Sequence, residues 1–281
     1  MTERVGVPSA VELEAEVPIW RKYPQTTRAI LDLGSREAIS IFADIAREQK
    51  SAQVTGDLRE FLLRESSQRS VFGIRQALAA YFFEEYAYRL ARSRVGLYLP
   101  GSIVLSPPQS ARAFQIARPD KPTVIAHRGW AQAKGDLKNP DGIVLTRRRG
   151  KTLISGVCEY TLGTRNPNRL EPKKKKQTQH FRSGEVIKDI LVRGERQQEL
   201  WRYFQSLFPE MSAELGASLG NFRLIYVRPQ RSMDDVFDSQ LVDKSRTLYI
   251  YAPFTREQFG EVIDGLVEDT RSLLSKKPSV S

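Results

Sequence analysis

Two acidic residues bracket a pair of apparent strands near the middle of the chain. Asp141 stands at the start of the first strand and Glu159 near the end of the second, within the stretch NPDGIVLTRRRGKTLISGVCEYTLG. A turn at Arg149, Gly150 and Lys151 makes these strands an antiparallel hairpin, with both acids at the end away from the turn. Converging carboxylates repel each other unless a positive charge lies between them, so the spacing indicates a divalent-cation site.

The register of this hairpin depends on the length of its loop. A two-residue loop sets Asp141 opposite Cys158, whereas a three-residue loop sets Asp141 directly opposite Glu159. Both alternating faces of the second strand are largely apolar, which is typical of a covered strand, and a carboxylate there is costly unless it is paired or metal-bound. Taken singly, Glu159 is also typical of a strand end that reaches solvent or an arginine, and Asp141 of a turn former.

The other residue types restrict which metal such a site could take. The chain contains one cysteine, Cys158, and two histidines, His127 and His180, which lack metal-ligand spacing. These numbers exclude an intramolecular disulfide and a multi-cysteine zinc or iron–sulfur site. Oxygen ligands remain, and they select magnesium, manganese or calcium.

The overall charge favours a polyanionic partner. The 281 residues include 44 Lys and Arg against 33 Asp and Glu, a formal charge of +11. Each phosphate that such a protein neutralises releases condensed counterions, which adds affinity for nucleic acid. The alternative is a solubilising surface charge. No apolar run approaches the ~18 residues of a membrane helix, and the N-terminus lacks a signal-peptide pattern, so we expect a cytoplasmic protein without a membrane partner.

The hydrophobic pattern predicts an α/β protein with a mixed sheet. Residues 1–70 are expected to form an arm, over residues 1–34, followed by a small helical region, and residues 71–281 an α/β core. The predicted helices cover 36–48, 56–64, 71–94, 184–208 and 255–274. The predicted strands cover 95–99, 102–105, 123–127, 142–147, 152–161, 222–227 and 247–251. No GxxxxGK[ST] or GxGxxG loop occurs, which argues against a P-loop motor or a Rossmann dehydrogenase.

One acid on the long helix has surroundings that differ from those of its neighbour. At 100° per residue, Glu85 falls on the charged face, where Arg89 is its i,i+4 partner. Glu84 falls on the flank that carries Ala80 and Ala87, and such small residues allow close approach of another element. A carboxylate at Glu84 is therefore the better candidate to point into a cleft.

The chain resembles the PD-(D/E)XK nuclease superfamily over roughly residues 71–230. The resemblance is carried by Pro140-Asp141, the strand that follows, and a second strand that ends in Glu159-Tyr160-Thr161. It implies a restriction-endonuclease-like mixed central sheet flanked by helices. It also implies that Asp141 and Glu159 bind Mg²⁺ or Mn²⁺, that the backbone carbonyl of Tyr160 assists, and that Glu84 is the additional helix acid.

The sequence departs from this family at the third catalytic position. Thr161 stands where the family has a lysine, and threonine can form a hydrogen bond but cannot supply a cation. Lys151 is unsuited to replace that lysine because about 26 Å of strand separates it from Glu159. The run Lys173, Lys174, Lys175 and Lys176 could fold back, although its expected role is phosphate contact, with a solvated surface run as the alternative.

The resemblance predicts a Mg²⁺-dependent DNA endonuclease from a restriction, mobile-element or repair system. Its catalytic positions would be Asp141, Glu159 and Thr161. The alternative is a subunit with the same fold that binds nucleic acid or assembles with a partner without cleaving. A homodimer or a partner subunit is expected for the enzyme, because cutting both strands of a duplex usually requires two active sites.

Overall fold

The protein is an α/β structure with a mixed sheet. The computed structural model describes residues 7–48, 71–119, 123–126, 130–133, 140–162, 184–211, 214–217, 222–230 and 247–275. The helices are α1 (Ala10–Glu16), α2 (Pro24–Asp32), α3 (Arg36–Glu48), α4 (Val71–Tyr98), α5 (Pro107–Ala117), α6 (184–193), α7 (Gln197–Leu207) and α8 (Arg256–Ser275), with a short 3-10 helix (Pro18–Lys22) after α1. The strands are β1 (Ser102–Val104), β2 (Thr123–Ala126), β3 (Trp130–Ala133), β4 (Gly142–Arg148), β5 (Lys151–Tyr160), β6 (Leu215–Ala217), β7 (Arg223–Gln230) and β8 (Thr247–Thr255). None of the helices in these ranges is long and apolar enough to cross a lipid bilayer.

The chain divides into two compact units, and α4, β7 and β8 contribute residues to both. The first unit comprises Met1–Tyr86, Pro229–Phe237 and Ala252–Ser281, and α2 packs against α8 within it. The buried carboxylate of Asp269 on α8 accepts the backbone N–H of Thr26 at 2.8 Å, and its hydroxyl at the same distance. This side chain therefore satisfies a donor that the first turn of α2 would leave without a partner.

The second unit, Ala87–Arg228 and Asp238–Tyr251, contains the main sheet. Its strand order is β1-β4-β5-β7-β8. The pairs β1–β4 and β4–β5 are antiparallel, whereas β7 and the short β6 both run parallel to β5. The separate hairpin of β2 and β3 lies against α5.

An apolar cluster packs the helices of the second unit against one face of this sheet. Alternate residues of β4, β5 and β7 point into it, including Leu145, Val157 and Leu224. The helices contribute Phe114 from α5 and Phe204 from α7. Burial of these large side chains, at about 25 cal/mol per Å² of apolar surface, is the main stabilising term for the unit that carries both acids of the hairpin.

Much of the predicted order of elements is confirmed, and α3 begins and ends at the predicted residues. The strand predicted at 95–99 is wrong, because α4 continues to Tyr98 and Val95 is buried as a helix residue. Within residues 1–34, which were predicted as an arm without assigned elements, the structure has helices α1 and α2. The helix predicted at 56–64 lies outside the described residues.

Two further differences concern the helices of the second unit. The single helix predicted over 184–208 is interrupted at Gly194, whose N–H bonds the Ile190 carbonyl and ends α6. Helix α5 was not predicted. Its first turn is closed by a capping box, in which the backbone N–H of Ser106 donates to Gln109 Oε1 at 2.9 Å and the Ser106 hydroxyl accepts the Gln109 N–H.

The parallel pairing of β5 with β7 depends on the absence of a side chain at Gly156. A Cβ atom there would lie 2.6 Å from the carbonyl oxygen of Arg223, which belongs to the strand ladder and has little freedom to shift. Gly156→Ala should therefore lower the free energy of unfolding by about 1–3 kcal/mol in urea denaturation. Gly96→Ala is the control, because a Cβ atom at this exposed helical position meets nothing within 4 Å. Gly96→Ala should leave the free energy of unfolding unchanged or raise it by up to ~1 kcal/mol. Equal stability of the two variants would contradict the close approach of β5 and β7.

Candidate functional site

The hairpin that carries Asp141 and Glu159 closes through a two-residue turn. Arg149 and Gly150 both have positive φ angles, 49° and 74°, and Arg148 pairs with Lys151. Positive φ at both central residues defines the type I′ turn, whose twist matches that of antiparallel strands. Continued without interruption, this register would set Asp141 opposite Cys158.

A β-bulge at Ser155 changes the register before the strands reach the acids. Leu145 pairs with Ile154, but Val144 pairs with Gly156, so Ser155 is the extra residue. Beyond the bulge Gly142 pairs with Cys158, and one further step sets Asp141 level with Glu159. The loop therefore has the two residues of the first predicted register, whereas Asp141 lies level with Glu159 as in the second. Neither predicted register holds along the whole hairpin.

Backbone hydrogen bonds fix Asp141 on both sides of Glu159. The Asp141 N–H donates to the carbonyl of Cys158 at 2.9 Å, and Oδ2 of its carboxylate accepts the N–H of Tyr160 at 2.6 Å. The carboxylate thus acts as the next acceptor in the strand ladder after β4 ends. One oxygen, Oδ1, is not used in this bond and can serve as a ligand.

Helix α5 holds the beginning of β4 in place. The Ser110 hydroxyl accepts the N–H of Ile143 at 3.0 Å and lies 3.5 Å from the carbonyl of Leu105. Ile143 is two residues from Asp141, so this contact restricts the strand end from which the carboxylate projects. The capping box of α5 therefore contributes indirectly to the position of the acid.

Burial raises the pKa of Asp141 to about 7, and the hydrogen bond from the Tyr160 N–H opposes this effect only in part. A carboxyl group in these surroundings favours its neutral form, because low local polarity penalises the negative charge. A cation close to Oδ1 would reverse that preference. The environment of Asp141 therefore fits a group that holds a proton or a metal ion, rather than a permanently charged surface acid.

Cys158 and Tyr160 lie on the face of β5 opposite to that of Glu159, and burial, with a smaller contribution from the Asp141 carboxylate, raises the pKa of both side chains. Cys158 is fully buried, and burial raises the pKa of its thiol to about 12. Tyr160 is also buried, and burial holds the pKa of its phenol well above the usual range. A thiol with such a pKa is not a thiolate at neutral pH, which makes Cys158 a poor metal ligand and nucleophile.

A cationic and aromatic cluster flanks Glu159 on the neighbouring strands. Tyr226 on β7 pairs with Glu159, and Tyr249 on β8 lies 6.0 Å from Tyr226 between ring centres. The guanidinium carbon of Arg228 lies 5.7 Å from the ring centre of Tyr249 and 5.0 Å from that of Tyr251. Sequence reasoning missed this cluster, since alternating tyrosines on strands are equally typical of ordinary packing.

Charges of both signs act on the phenol of Tyr226. Burial is the main cause that raises its pKa, the Glu159 carboxylate raises it further, and the Arg228 guanidinium lowers it. Glu159 and Arg228 therefore lie within electrostatic range of the same hydroxyl group. The Nε atom of Arg228 is buried and has no hydrogen-bond partner among the described residues, although Nη2 lies 3.4 Å from the Tyr251 hydroxyl oxygen.

Arg228 also lies beside the position where the resemblance requires a lysine. Tyr160 pairs with Val227, and the Thr161 N–H donates to the Val227 carbonyl at 3.0 Å. One further step along this register sets Thr161 next to Arg228. Where the resemblance would place a lysine on β5, this chain therefore has an arginine on the adjacent strand, about 4.8 Å away between strand axes.

The remaining predicted residues stay predictions. Glu84 is a partly buried residue of α4, and its role as the additional helix acid is not tested by its place on this helix. The lysine run at 173–176 lies outside the described residues, so its phosphate contacts stay a prediction. Within the described ranges, no three residues among His, Cys, Asp and Glu are grouped to hold a metal ion, which leaves the pair Asp141 and Glu159.

The hydrogen bond and the pKa of Asp141 predict how stability depends on pH. The folded state holds this proton more tightly than the unfolded state, in which the pKa is near 3.8, so its contribution to stability declines as pH rises from about 4 to about 7. In EDTA, Asp141→Asn should keep an acceptor for the Tyr160 N–H. Its free energy of unfolding should increase by about 2 kcal/mol relative to that of wild type between pH 5 and pH 8. Asp141→Ala should cost about 1 kcal/mol at pH 5 through loss of the hydrogen bond.

Urea denaturation at both pH values measures these differences. A stability difference between wild type and Asp141→Asn that is the same at pH 5 and pH 8 would show that the carboxyl group does not titrate in this range. Equal stability of the Asn and Ala variants at pH 5 would contradict the hydrogen bond to Tyr160.

The site has to be interpreted from its own chemistry. No protein-family model, no curated protein and no solved structure matches the chain. The acid pair and the charges around it are therefore the features from which its function is inferred.

Proposed function

We propose that the protein is a Mg²⁺-dependent nuclease that hydrolyses phosphodiester bonds in DNA, with Asp141 and Glu159 as its metal ligands. The observation that carries the proposal is the level placement of the two acids by the Ser155 bulge, with one Asp141 oxygen left for a ligand. Mg²⁺ is commonly held by one or two carboxylates together with phosphate oxygens of a substrate, so a pair of acids is sufficient.

The arrangement of elements supports a restriction-endonuclease-like sheet. Helix α4 precedes the antiparallel pair β4–β5, two helices follow, and β7 then adds to β5 in parallel. This is the order of helix, strands and helix on which the resemblance to the PD-(D/E)XK superfamily is based. The formal charge of +11 suits the polyanionic substrate that such an enzyme requires.

The two acids would have different roles in hydrolysis. A divalent ion bound between them would lower the pKa of a bound water and offset negative charge on the attacked phosphate. Glu159 lies beside the cluster that carries Arg228. Asp141 accepts a hydrogen bond from the Tyr160 N–H instead, and burial raises its pKa to about 7. Because a ligand carboxyl group must lose its proton, metal affinity should increase as pH rises through 7.

Arg228 is our candidate for the positive charge that Thr161 does not provide. Its guanidinium group lies among tyrosine rings on the strand next to Thr161, and its Nε–H has no acceptor in the described part of the chain. Guanidinium groups form bidentate hydrogen bonds with phosphate, which makes an unused donor at this position suitable for contact with substrate.

A second candidate function is a subunit that binds nucleic acid without cleaving it. Two observations favour it, the threonine at position 161 and the engagement of Asp141 Oδ2 by the Tyr160 N–H. In that case the acid would serve mainly to complete the strand ladder. The two candidates differ in whether metal-dependent cleavage occurs at all.

Cleavage of plasmid, linear and branched DNA with Mg²⁺ or Mn²⁺ tests the proposed function. Asp141→Asn and Glu159→Gln should each lower the cleavage rate by more than about 100-fold, because a ligand charge is lost while the shape is kept. Glu199→Gln and Glu214→Gln are matched controls, since these acids of the same unit are exposed and pair with Arg196 and Lys151. Cleavage that survives both site substitutions would disprove the assignment, and binding without cleavage by wild type would support the second candidate.

Two substitutions test the source of the missing cation. Arg228→Gln should lower the cleavage rate by about 100-fold, as loss of a preorganised donor does at other sites. Thr161→Lys should restore much of the activity in the Arg228→Gln background, because a lysine there returns a positive charge to the same sheet edge. Full activity of Arg228→Gln would exclude the arginine from catalysis. Activity that appears only with Thr161→Lys in the wild-type background would identify a nuclease site that has lost its cation.

A further inference from the structure

A groove of about 720 Å³ lies in the second unit, close to the turn of the β4–β5 hairpin. Three arginines are among its lining residues, Arg147 and Arg148 on β4 and Arg223 on β7. Tyr98, at the end of α4, is an aromatic residue of the same lining. Arg147 is six residues from Asp141 along the chain, about 20 Å in an extended strand, so this end of the groove lies away from the acid pair.

The positive charge of this groove is not neutralised by acids in the described part of the chain. There Arg147, Arg148 and Arg223 form no ion pair, and Arg223 donates a 3.2 Å hydrogen bond from Nη1 to the carbonyl of Phe222. Lys151 on the same hairpin differs, because its Nζ lies 2.5 Å from Glu214 Oε1. Arg147 and Arg148 are also exposed, so an incoming anion has direct access to them.

The rest of the groove combines hydroxyl and apolar groups. Thr146 and Ser155 line it, and their hydroxyl oxygens lie 2.5 Å apart, with Ser102 Oγ 2.6 Å from that of Thr146. Leu97, on the groove wall, is 73% exposed, and few other large apolar side chains among the described residues are exposed. The lining therefore offers cations for phosphates, an aromatic ring for stacking and apolar surface for sugars or bases.

We propose that this groove binds a single strand of nucleic acid, with its phosphates on the three arginines and a base on Tyr98. Grooves that bind single strands combine positive charge along the backbone with aromatic rings on which bases stack. A duplex keeps its bases paired and stacked, so it would offer only phosphates to the exposed arginines. The apolar lining and Tyr98 would then have no role.

The inference rests on the nucleic-acid substrate of the proposed function and deepens it, but it does not require cleavage. A strand held in the groove would continue along the hairpin toward the acids at its other end. This arrangement predicts a preference for DNA with an unpaired segment over fully paired DNA. Binding measured in EDTA tests the groove whether or not the acid pair is catalytic.

The test is fluorescence anisotropy with a labelled oligothymidylate of roughly 20 nucleotides, longer than the site size of a typical single-strand groove. The triple variant Arg147→Gln, Arg148→Gln, Arg223→Gln is compared with a control triple that removes the same charge from α5, α6 and α7, namely Arg112→Gln, Arg193→Gln, Arg202→Gln. Each lost phosphate contact should reduce the slope of log affinity against log salt concentration by about 0.7, so the three together should reduce it by about 2. Binding should weaken about 10- to 100-fold. The control triple should change affinity less than about threefold.

Tyr98→Ser separates the single strand from other occupants. It should weaken single-strand binding about tenfold and leave duplex binding unchanged, since a base stacks only when unpaired. Equal losses in both triple variants would overturn the proposal in favour of net charge alone. The proposal would also be overturned if the protein bound duplex as tightly as single strand and Tyr98→Ser had no effect. That result would identify a duplex-binding surface.

Two further outcomes decide between the groove and its alternatives. Displacement of the oligonucleotide by an equal concentration of thymidine monophosphate would identify a small-anion pocket and overturn the proposal. The exposed substitution Arg148→Gln alone should lower the salt slope by about 0.7, which provides the same test if a triple variant fails to fold. Binding that depends on the groove in a protein without cleavage would support this inference and count against the nuclease.

Discussion

The hydrogen bond from the Tyr160 backbone N–H to the Asp141 carboxylate is the constraint on which the site depends. It ties the start of one strand to the end of the next, beyond the bulge at Ser155 that shifts the register by one residue. The bulge is held in turn by contact between the hydroxyl groups of Ser155 and Thr146. The bulge, with its hydroxyl contact, therefore lies between the turn of the hairpin and the two acids at its other end.

The same hydrogen bond compensates only part of the cost of a negative charge on Asp141. Asp141 has a raised pKa because burial penalises its charge, and one backbone N–H does not compensate for that penalty. Positive charge is nevertheless present in the unit, on Arg228 beside the site and on the arginines of the groove near the turn. One hairpin thus joins the two acids, beside Arg228, to a groove whose arginines form no ion pair among the residues that the structure describes. Such an arrangement suits a ligand that carries phosphates along its length and brings metal ions with it.

Elements with strong periodic patterns could be predicted from the sequence. Features that depend on single hydrogen bonds could not. The bounds of α3 and the antiparallel hairpin follow from apolar spacing and from the Arg149-Gly150 turn. Helix α5 had a readable signal in Ser106-Pro107 with Gln109 at the third helical position, a capping box that sequence reasoning overlooked. Gly156 inside a strand is likewise typical of a bulge or a close backbone approach, and it marks both here. Arg228 had no such signal, because its importance depends on which strand lies beside Thr161.

The most direct test of the central claim is anomalous X-ray diffraction from crystals of the protein soaked in Mn²⁺ at about pH 8, above the pKa of Asp141. The account predicts a manganese peak in contact with Oδ1 of Asp141 and the carboxylate of Glu159, and loss of that peak in Asp141→Asn crystals. A wild-type map without manganese at this pair, with Asp141 bonded only to the Tyr160 N–H, would contradict it. In that case the carboxylate would be an element of the strand ladder and not a metal ligand.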